Sequence, residues 1–204
     1  MGYFGGQMIK NVIFDIGNTL LSFDELGFLT SRYSNRAVID ALQKTMFQSP
    51  EWNMLDCGVL SIDEALRIFY SKQPRLKREI FETMKNWLDY LVPVEEAIQL
   101  LRDLKNKNYK IYFLSNFYRD GFYYMRDNFP VLHEADGYLI SYQVKLLKPD
   151  VKIYKTFLRE FRLKPQECFF LDDLKENLEG ARKLGIQGMV FENAEKVWNY
   201  IEKD

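Results

Sequence analysis

The sequence predicts an α/β fold, a doubly wound parallel sheet interrupted by an all-helical insertion, and three observations carry that expectation. Short apolar runs recur along the 204 residues and stop on polar groups; amphipathic helical stretches separate them; one long segment after the first run holds helical patterns only. Buried parallel strands read as continuous apolar runs. Strands that alternate with helices build a parallel sheet.

The strands are expected at VIFD (12–15), KIYFLSN (110–116), GYLIS (137–141), CFFLDD (168–173) and the shorter GMVF (188–191). Helices are expected between and after them, over Val94–Lys107, Phe122–Phe129, Val151–Phe161, Asn177–Leu184 and Ala194–Glu202. In the first of these, Ile98, Leu100, Leu101 and Leu104 fall on or near one face, as a helix packed on a sheet requires. The segment from Asp24 to Leu91 differs. It carries helical patterns at Phe28–Tyr33, Ala37–Thr45, Ser61–Tyr70 and Lys77–Asp89, and Ser61 followed by Glu64 is a capping-box signal. This excursion leaves after the first strand and returns at Pro93, which puts it above the carboxyl edge of the sheet.

Composition narrows the function classes. Apolar residues make up 47% and charged residues 28%, so the chain can build a core; aromatic residues, at 16%, are abundant. With 28 basic and 29 acidic residues, net charge −1, no long-range field favours nucleic acid or an anionic membrane, and an anionic ligand must be held locally. No apolar stretch approaches the roughly 20 residues that span a bilayer. The opening MGYFGGQMIK lacks the charged start and apolar centre of a signal peptide, so a cytoplasmic protein is expected. Cys57 and Cys168 fit neither a disulfide framework nor a zinc site and are expected to be reduced thiols.

Four strand ends or the loops after them carry polar groups: Asp15, Ser115 with Asn116, Lys148 in LLKPD, and Asp172 with Asp173. Taken singly, each has an ordinary explanation as a turn or a helix cap. Together they point to a ligand site, because ligands bind at the carboxyl ends of strands in open α/β sheets.

The order and spacing of these segments resemble the haloacid dehalogenase (HAD) superfamily, most of whose members are phosphatases. FDIGNTL resembles its first motif, FLSN its second, KPDVKIY its third and FLDDLKEN its fourth. The resemblance implies a HAD-type Rossmann-like core over residues 8–23 and 92–204, and a helical C1 cap over 24–91. Residues 1–7, rich in Gly, are expected to form a flexible extension.

The resemblance also implies an activity, the Mg²⁺-dependent hydrolysis of a small phosphate monoester, with sugar phosphates the foremost class. Asp15 is then the nucleophile, forming an aspartyl-phosphate. Ser115 and Lys148 complete the catalytic set. Ser115, the Asn116 backbone N–H and Lys148 bind phosphoryl oxygens, while Asp15, Asp172, Asp173 and the Gly17 carbonyl hold Mg²⁺, a hard ion that prefers oxygen. The implied partner is a small phosphorylated metabolite, neither nucleic acid nor membrane, and the protein is expected as a monomer or homodimer.

The first motif departs from the phosphatase pattern. Members of that branch commonly carry a second Asp two positions after the nucleophile, as general acid/base; here that position is Gly17. Some sugar-phosphate phosphatases of the superfamily share this Gly in an Asp-Leu-Gly-Asn motif, which this sequence resembles more closely. Two alternatives follow: a weakly active or inactive protein that binds a phosphorylated ligand, and a metal-independent dehalogenase. The second leaves Asp172 and Asp173 uncompensated beside a carboxylate, which is costly without a cation. In the insertion, Phe28, Arg32, Tyr33, Arg36, Trp52 and Trp87 are candidates for substrate contact as well as for its own packing. The stretch ELGFLTSRYSNR (25–36) is expected to face the site, and the loop FYRDGFYY (117–124) to contact the leaving group. His133, the single histidine, is expected at the surface.

Overall fold

The structure of the protein is a computed structural model that describes residues 3–4 and 7–202. Tyr3–Phe4 (β1) pairs antiparallel with Gln7–Met8 (β2). Of the expected N-terminal extension, residues 1, 2, 5 and 6 lie outside the described residues.

The first long apolar run forms β3 (Asn11–Phe14), which is followed by β4 (Leu21–Ser22). Five helices come next: α1 (Glu25–Arg32), α2 (Arg36–Thr45), α3 (Pro50–Asp56), α4 (Ile62–Lys72) and α5 (Lys77–Asn86). The chain returns through β5 (Val92–Pro93). It then alternates: α6 (Glu95–Asn106), β6 (Lys110–Ser115), α7 (Arg119–Asn128), β7 (Gly137–Ile140), α8 (Ser141–Val144), α9 (Val151–Glu160), β8 (Cys168–Asp172), α10 (Lys175–Arg182), β9 (Gln187–Val190) and α11 (Ala194–Ile201).

The main sheet is parallel throughout, in the order β7-β6-β3-β8-β9. Side chains alternate between its two faces. Val12, Phe14, Ile111, Phe113, Phe169 and Leu171 join the core that continues into the helical insertion. Ile13, Tyr112, Leu114, Cys168 and Phe170 enter a second core with Ile153, Tyr154 and Phe157 of α9 and Leu178 of α10. Helices therefore cover both faces, as a doubly wound sheet requires.

The insertion is stapled at its base. β4 and β5 pair antiparallel, Leu21 beside Pro93 and Ser22 beside Val92, so the chain leaves and rejoins the core side by side. The Ser61–Glu64 capping box forms as expected, with the Glu64 carboxylate accepting from the Ser61 N–H at 2.8 Å. Helix α3 was not among the expected elements; Ser49 caps it and Pro50 opens it, a starting pattern that Pro favours. No helix among the described residues is long and apolar enough to cross a membrane. Both cysteines are free thiols.

Candidate active site

Strand register brings the polar groups to one edge. Phe14 of β3 pairs with Phe113 of β6 on one side and Leu171 of β8 on the other, so Asp15 emerges level with Asp172 and next to Ser115. The chain moves outward from β3 through β6 and β7, then crosses back to β8 and β9 on the other side. The reversal lies between β3 and β8, and such a switch point leaves a crevice beyond the strand ends.

Lys148 sits between the carboxylates. Its Nζ lies 2.9 Å from Asp15 Oδ1 and 2.6 Å from Asp172 Oδ2, and Lys148, Asp15 and Asp172 are 4%, 6% and 0% exposed. Burial alone would lower the lysine's pKa, but Asp15 and Asp172 together hold it above its ordinary value. The ammonium is therefore a fixed positive charge. Asp15 Oδ1 also accepts from the Ile16 N–H at 2.7 Å, and the Ser115 hydroxyl donates to the same carboxylate. Burial nevertheless pushes the Asp15 carboxyl up to about 7, with Lys148 opposing the rise and Asp172 adding to it.

Asp172 is held from three directions. Its Oδ2 takes Lys148, while its Oδ1 accepts from the Leu174 N–H and from Asn177 Nδ2, both at 2.9 Å. Asn177, a buried residue on α10, thus steadies the acidic loop. Asp173 is half-buried; burial and the Asp172 charge raise its pKa, and Lys148 and the Asn18 side chain offset part of that. Oxygen atoms of Asp15, Asp172 and Asp173 lie within 4.8 Å of one another. Among the described residues, Lys148 is the one cation ion-paired to them.

Three acids against one ammonium leave the crevice short of positive charge, and all the donor atoms are hard oxygens. That donor set fits Mg²⁺.

Asn116 acts through its side chain as well as lying in the predicted loop. Its Oδ1 accepts from the Lys148 N–H at 2.8 Å and its Nδ2 donates to the Lys148 carbonyl at 2.9 Å. Asn18, in the turn after Asp15 and not among the expected site residues, sits at φ 51°; its Oδ1 accepts from the Phe23 N–H at 3.1 Å. Asn is among the residues that tolerate this left-handed turn. A Cβ added at Gly17 would meet no atom within 4 Å, so a side chain there would enter open space.

The insertion residues divide differently. Phe28, Trp52 and Trp87 are buried in the shared core, and Arg32 lies over the rings of Phe28 and Tyr90. The Tyr33 hydroxyl contacts the Glu79 carbonyl, and Arg36 pairs with Asp40 at the surface. Phe117 and Tyr118 of the second-strand loop pack against Trp87. His133 is exposed, with Nε2 2.9 Å from the Arg126 carbonyl oxygen, and takes no part in the site.

Comparison with known proteins gives a consistent result. Residues 9–185 match the family described as haloacid dehalogenase-like hydrolase. The chain is 24% identical to a sesquiterpene phosphatase of Aspergillus oryzae over 180 residues, 88% of each protein. It is 26% identical to a D-ribitol-5-phosphate phosphatase of Bacteroides thetaiotaomicron over 200 residues, 91% of this chain and 93% of that one. A HAD family enzyme of Bacteroides thetaiotaomicron, solved with magnesium and inorganic phosphate, superposes with a TM-score of 0.67 at 24% identity, covering 91% of this chain and 95% of the other.

Proposed function

The chain belongs to the haloacid dehalogenase-like hydrolases, and from that premise we propose that it hydrolyses a small phosphate monoester with Mg²⁺, through an aspartyl-phosphate on Asp15. The observation that carries this reading is the placement of a buried carboxylate, Asp15, beside a fixed ammonium and within 4.8 Å of an acidic pair at the switch point of the sheet.

Phosphoryl transfer asks mainly for positioning and charge neutralisation. A carboxylate oxygen of Asp15 attacks phosphorus as the bond to the ester oxygen breaks; that oxygen leaves with the bonding pair and takes a proton from solvent. Water then attacks the phosphorus, restoring Asp15 and releasing inorganic phosphate. Lys148 opposes the charge that gathers on the phosphoryl oxygens, and the Ser115 hydroxyl and Asn116 N–H are donors for the same oxygens. Asp15, Asp172, Asp173 and the Gly17 carbonyl are the residues that would hold Mg²⁺. Bound there, the ion neutralises the carboxylates and withdraws charge from the phosphoryl group.

The helical insertion acts as a cap over this edge and sets the substrate. Similarity to a phosphatase of a sugar-alcohol phosphate supports a polyol or sugar phosphate as the first class to test, and similarity to a sesquiterpene phosphatase adds an apolar monoester to the panel. The dehalogenase alternative accounts less well for Asp173, whose charge has no use there. The test is multiple-turnover phosphate release from p-nitrophenyl phosphate, sugar 1- and 6-phosphates, ribitol 5-phosphate and an isoprenoid phosphate, with Mg²⁺ and with chelator. Turnover that needs Mg²⁺ and disappears in Asp15→Asn supports the proposal. Phosphate binding without turnover would favour a phospholigand-binding protein, with Gly17 as the reason.

A further inference from the structure

We infer that Ser141 is a positioning residue, which couples docking of the helical insertion to the loop that presents Ser115 and Asn116. The inference rests on the phosphatase reading of the site and concerns residues outside the four motifs.

Ser141, the first residue of α8, is fully buried. Its Oγ accepts from the Phe117 N–H at 2.9 Å and donates to the Asp56 carbonyl at 2.5 Å; the Phe117 carbonyl lies 3.3 Å away. Phe117 follows directly on Asn116, and Asp56 ends α3 of the insertion. One hydroxyl therefore joins three segments that are far apart in sequence. A donor and an acceptor both depend on it, and leaving either buried and unpaired is costly.

Two further contacts lie at the same junction. The Asp56 carboxyl receives the Tyr118 N–H, so a single residue of the insertion reaches both Phe117, through Ser141, and Tyr118 directly. Gly58 brings the insertion against α8: its φ is +69°, and a Cβ there would lie 3.0 Å from the Tyr142 carbonyl oxygen. Only glycine takes up that turn and that approach without strain.

From this junction a continuous path leads to the nucleophile. Ser141 holds Phe117; the neighbouring Asn116 carboxamide grips the Lys148 backbone on both sides; Lys148 pairs with Asp15. If the insertion lifts, Ser141 loses its Asp56 acceptor and the loop loses its Tyr118 anchor. A docked insertion thus assembles the phosphate-binding loop, and an undocked one loosens it. Perturbing this path at two separate points tests the coupling.

The experiment uses Ser141→Ala, which removes the link, and Gly58→Ala, which disturbs docking without touching the loop. Three experiments are run on each: steady-state kinetics (kcat and KM) on p-nitrophenyl phosphate with Mg²⁺, calorimetry for the Kd of inorganic phosphate in Mg²⁺, and amide hydrogen exchange over residues 115–118. Ser141→Ala is expected to lower kcat by about tenfold, the factor that corresponds to one modest interaction. It should also weaken phosphate binding and speed exchange in this loop, with Gly58→Ala shifting all three in the same direction. Unchanged kcat, phosphate affinity and exchange, with only the melting temperature lowered, would overturn the inference. Should Ser141→Ala fail to fold, Gly58→Ala decides alone by the same readouts. Should the wild type show no turnover on any ester, the phosphatase reading falls, while phosphate affinity and exchange still decide the coupling.

Discussion

The Asn116 carboxamide brackets the Lys148 backbone, accepting from its N–H at 2.8 Å and donating to its carbonyl at 2.9 Å. The lysine that separates Asp15 from Asp172 is thereby aimed by a residue 32 positions earlier in the chain. Asn116→Ala is expected to cost about 1–3 kcal/mol of stability, since each of the two bonds is worth about 0.5–1.5 kcal/mol. It should also lower kcat/KM, because the ammonium no longer holds its place; urea denaturation and steady-state kinetics check the two effects.

Lys148→Met should be far more damaging to the fold. It leaves two buried carboxylates without their cation, and breaking a buried pair from one side costs about 3–5 kcal/mol. Adding Asp15→Asn to Lys148→Met removes one of the stranded charges and should recover part of that loss, as chemical denaturation of the single and double variants will show.

The three carboxylates predict a stabilising cation. Wild-type protein should melt higher in Mg²⁺ than in chelator, by an amount that corresponds to about 2.7 kcal/mol when the ion is at 100 times its Kd. In Asp173→Asn that Mg²⁺-dependent gain should shrink or vanish. An equal gain in both proteins would remove Asp173 from the metal site.

Asp56 contributes a pH dependence that a single substitution isolates. Burial raises its carboxyl well above the ordinary 3.8, with the Tyr118 N–H opposing the rise. Because the folded pKa exceeds the unfolded one, the native state favours the protonated form; that contribution is complete below about pH 4 and is lost as pH rises through the folded pKa. Asp56→Asn, which stays neutral and keeps an oxygen acceptor, should therefore match wild type near pH 4 and exceed it in stability at pH 8. Thermal melts of both proteins at the two pH values test this, and a difference that does not grow with pH would refute it.

Gly17→Asp should be accepted by the fold, since the added Cβ meets no atom within 4 Å. On the proposed mechanism it supplies a proton donor beside the leaving oxygen. General acid assistance is worth about 10²–10⁴-fold, so the gain should be large for an alkyl phosphate and small for p-nitrophenyl phosphate, whose leaving group needs no proton. Rates on the two esters in wild type and variant measure the contrast.

Much of the fold was legible because the sheet is parallel and covered on both faces. Each of its strands carries a continuous apolar stretch, shortest in β9 at Met189–Val190, and each expected strand lies within about a residue of the observed one at either end. Helix α3 was less visible. Gln48-Ser49-Pro50 reads as a break, although Ser49 and Pro50 are also a cap and a first-turn proline, and its apolar face is short, with Trp52 and Leu55 buried. Helix α8, four residues long, is too short to show a period. In the site, residue order along the chain pointed to Asp15, Ser115, Lys148, Asp172 and Asp173. The roles of Ser141 and of the Asn116 side chain were hidden, because both depend on partners brought near only by folding: 85 positions separate Ser141 from Asp56 and 32 separate Asn116 from Lys148. Asn177 stood between these cases: four residues after Asp173, it can share a helix face with the acidic loop, and only the fold ties it to Asp172.

The short β4–β5 ladder has a consequence for how this architecture can vary. Ser22 sits beside Val92 and Leu21 beside Pro93, so the stretch between them is a closed excursion whose two ends already touch. Doubling the length of such a loop adds only about 0.6 kcal/mol of closure entropy. The core therefore spans the same gap whatever the length of the excursion, and residues 23–91 can lengthen or shorten without moving the two points where they join it. A replacement segment would leave Asp15, Lys148 and Asp172 where the sheet holds them, and it would keep the Ser115–Asn116 loop in place only by supplying an acceptor for Ser141 where Asp56 now stands.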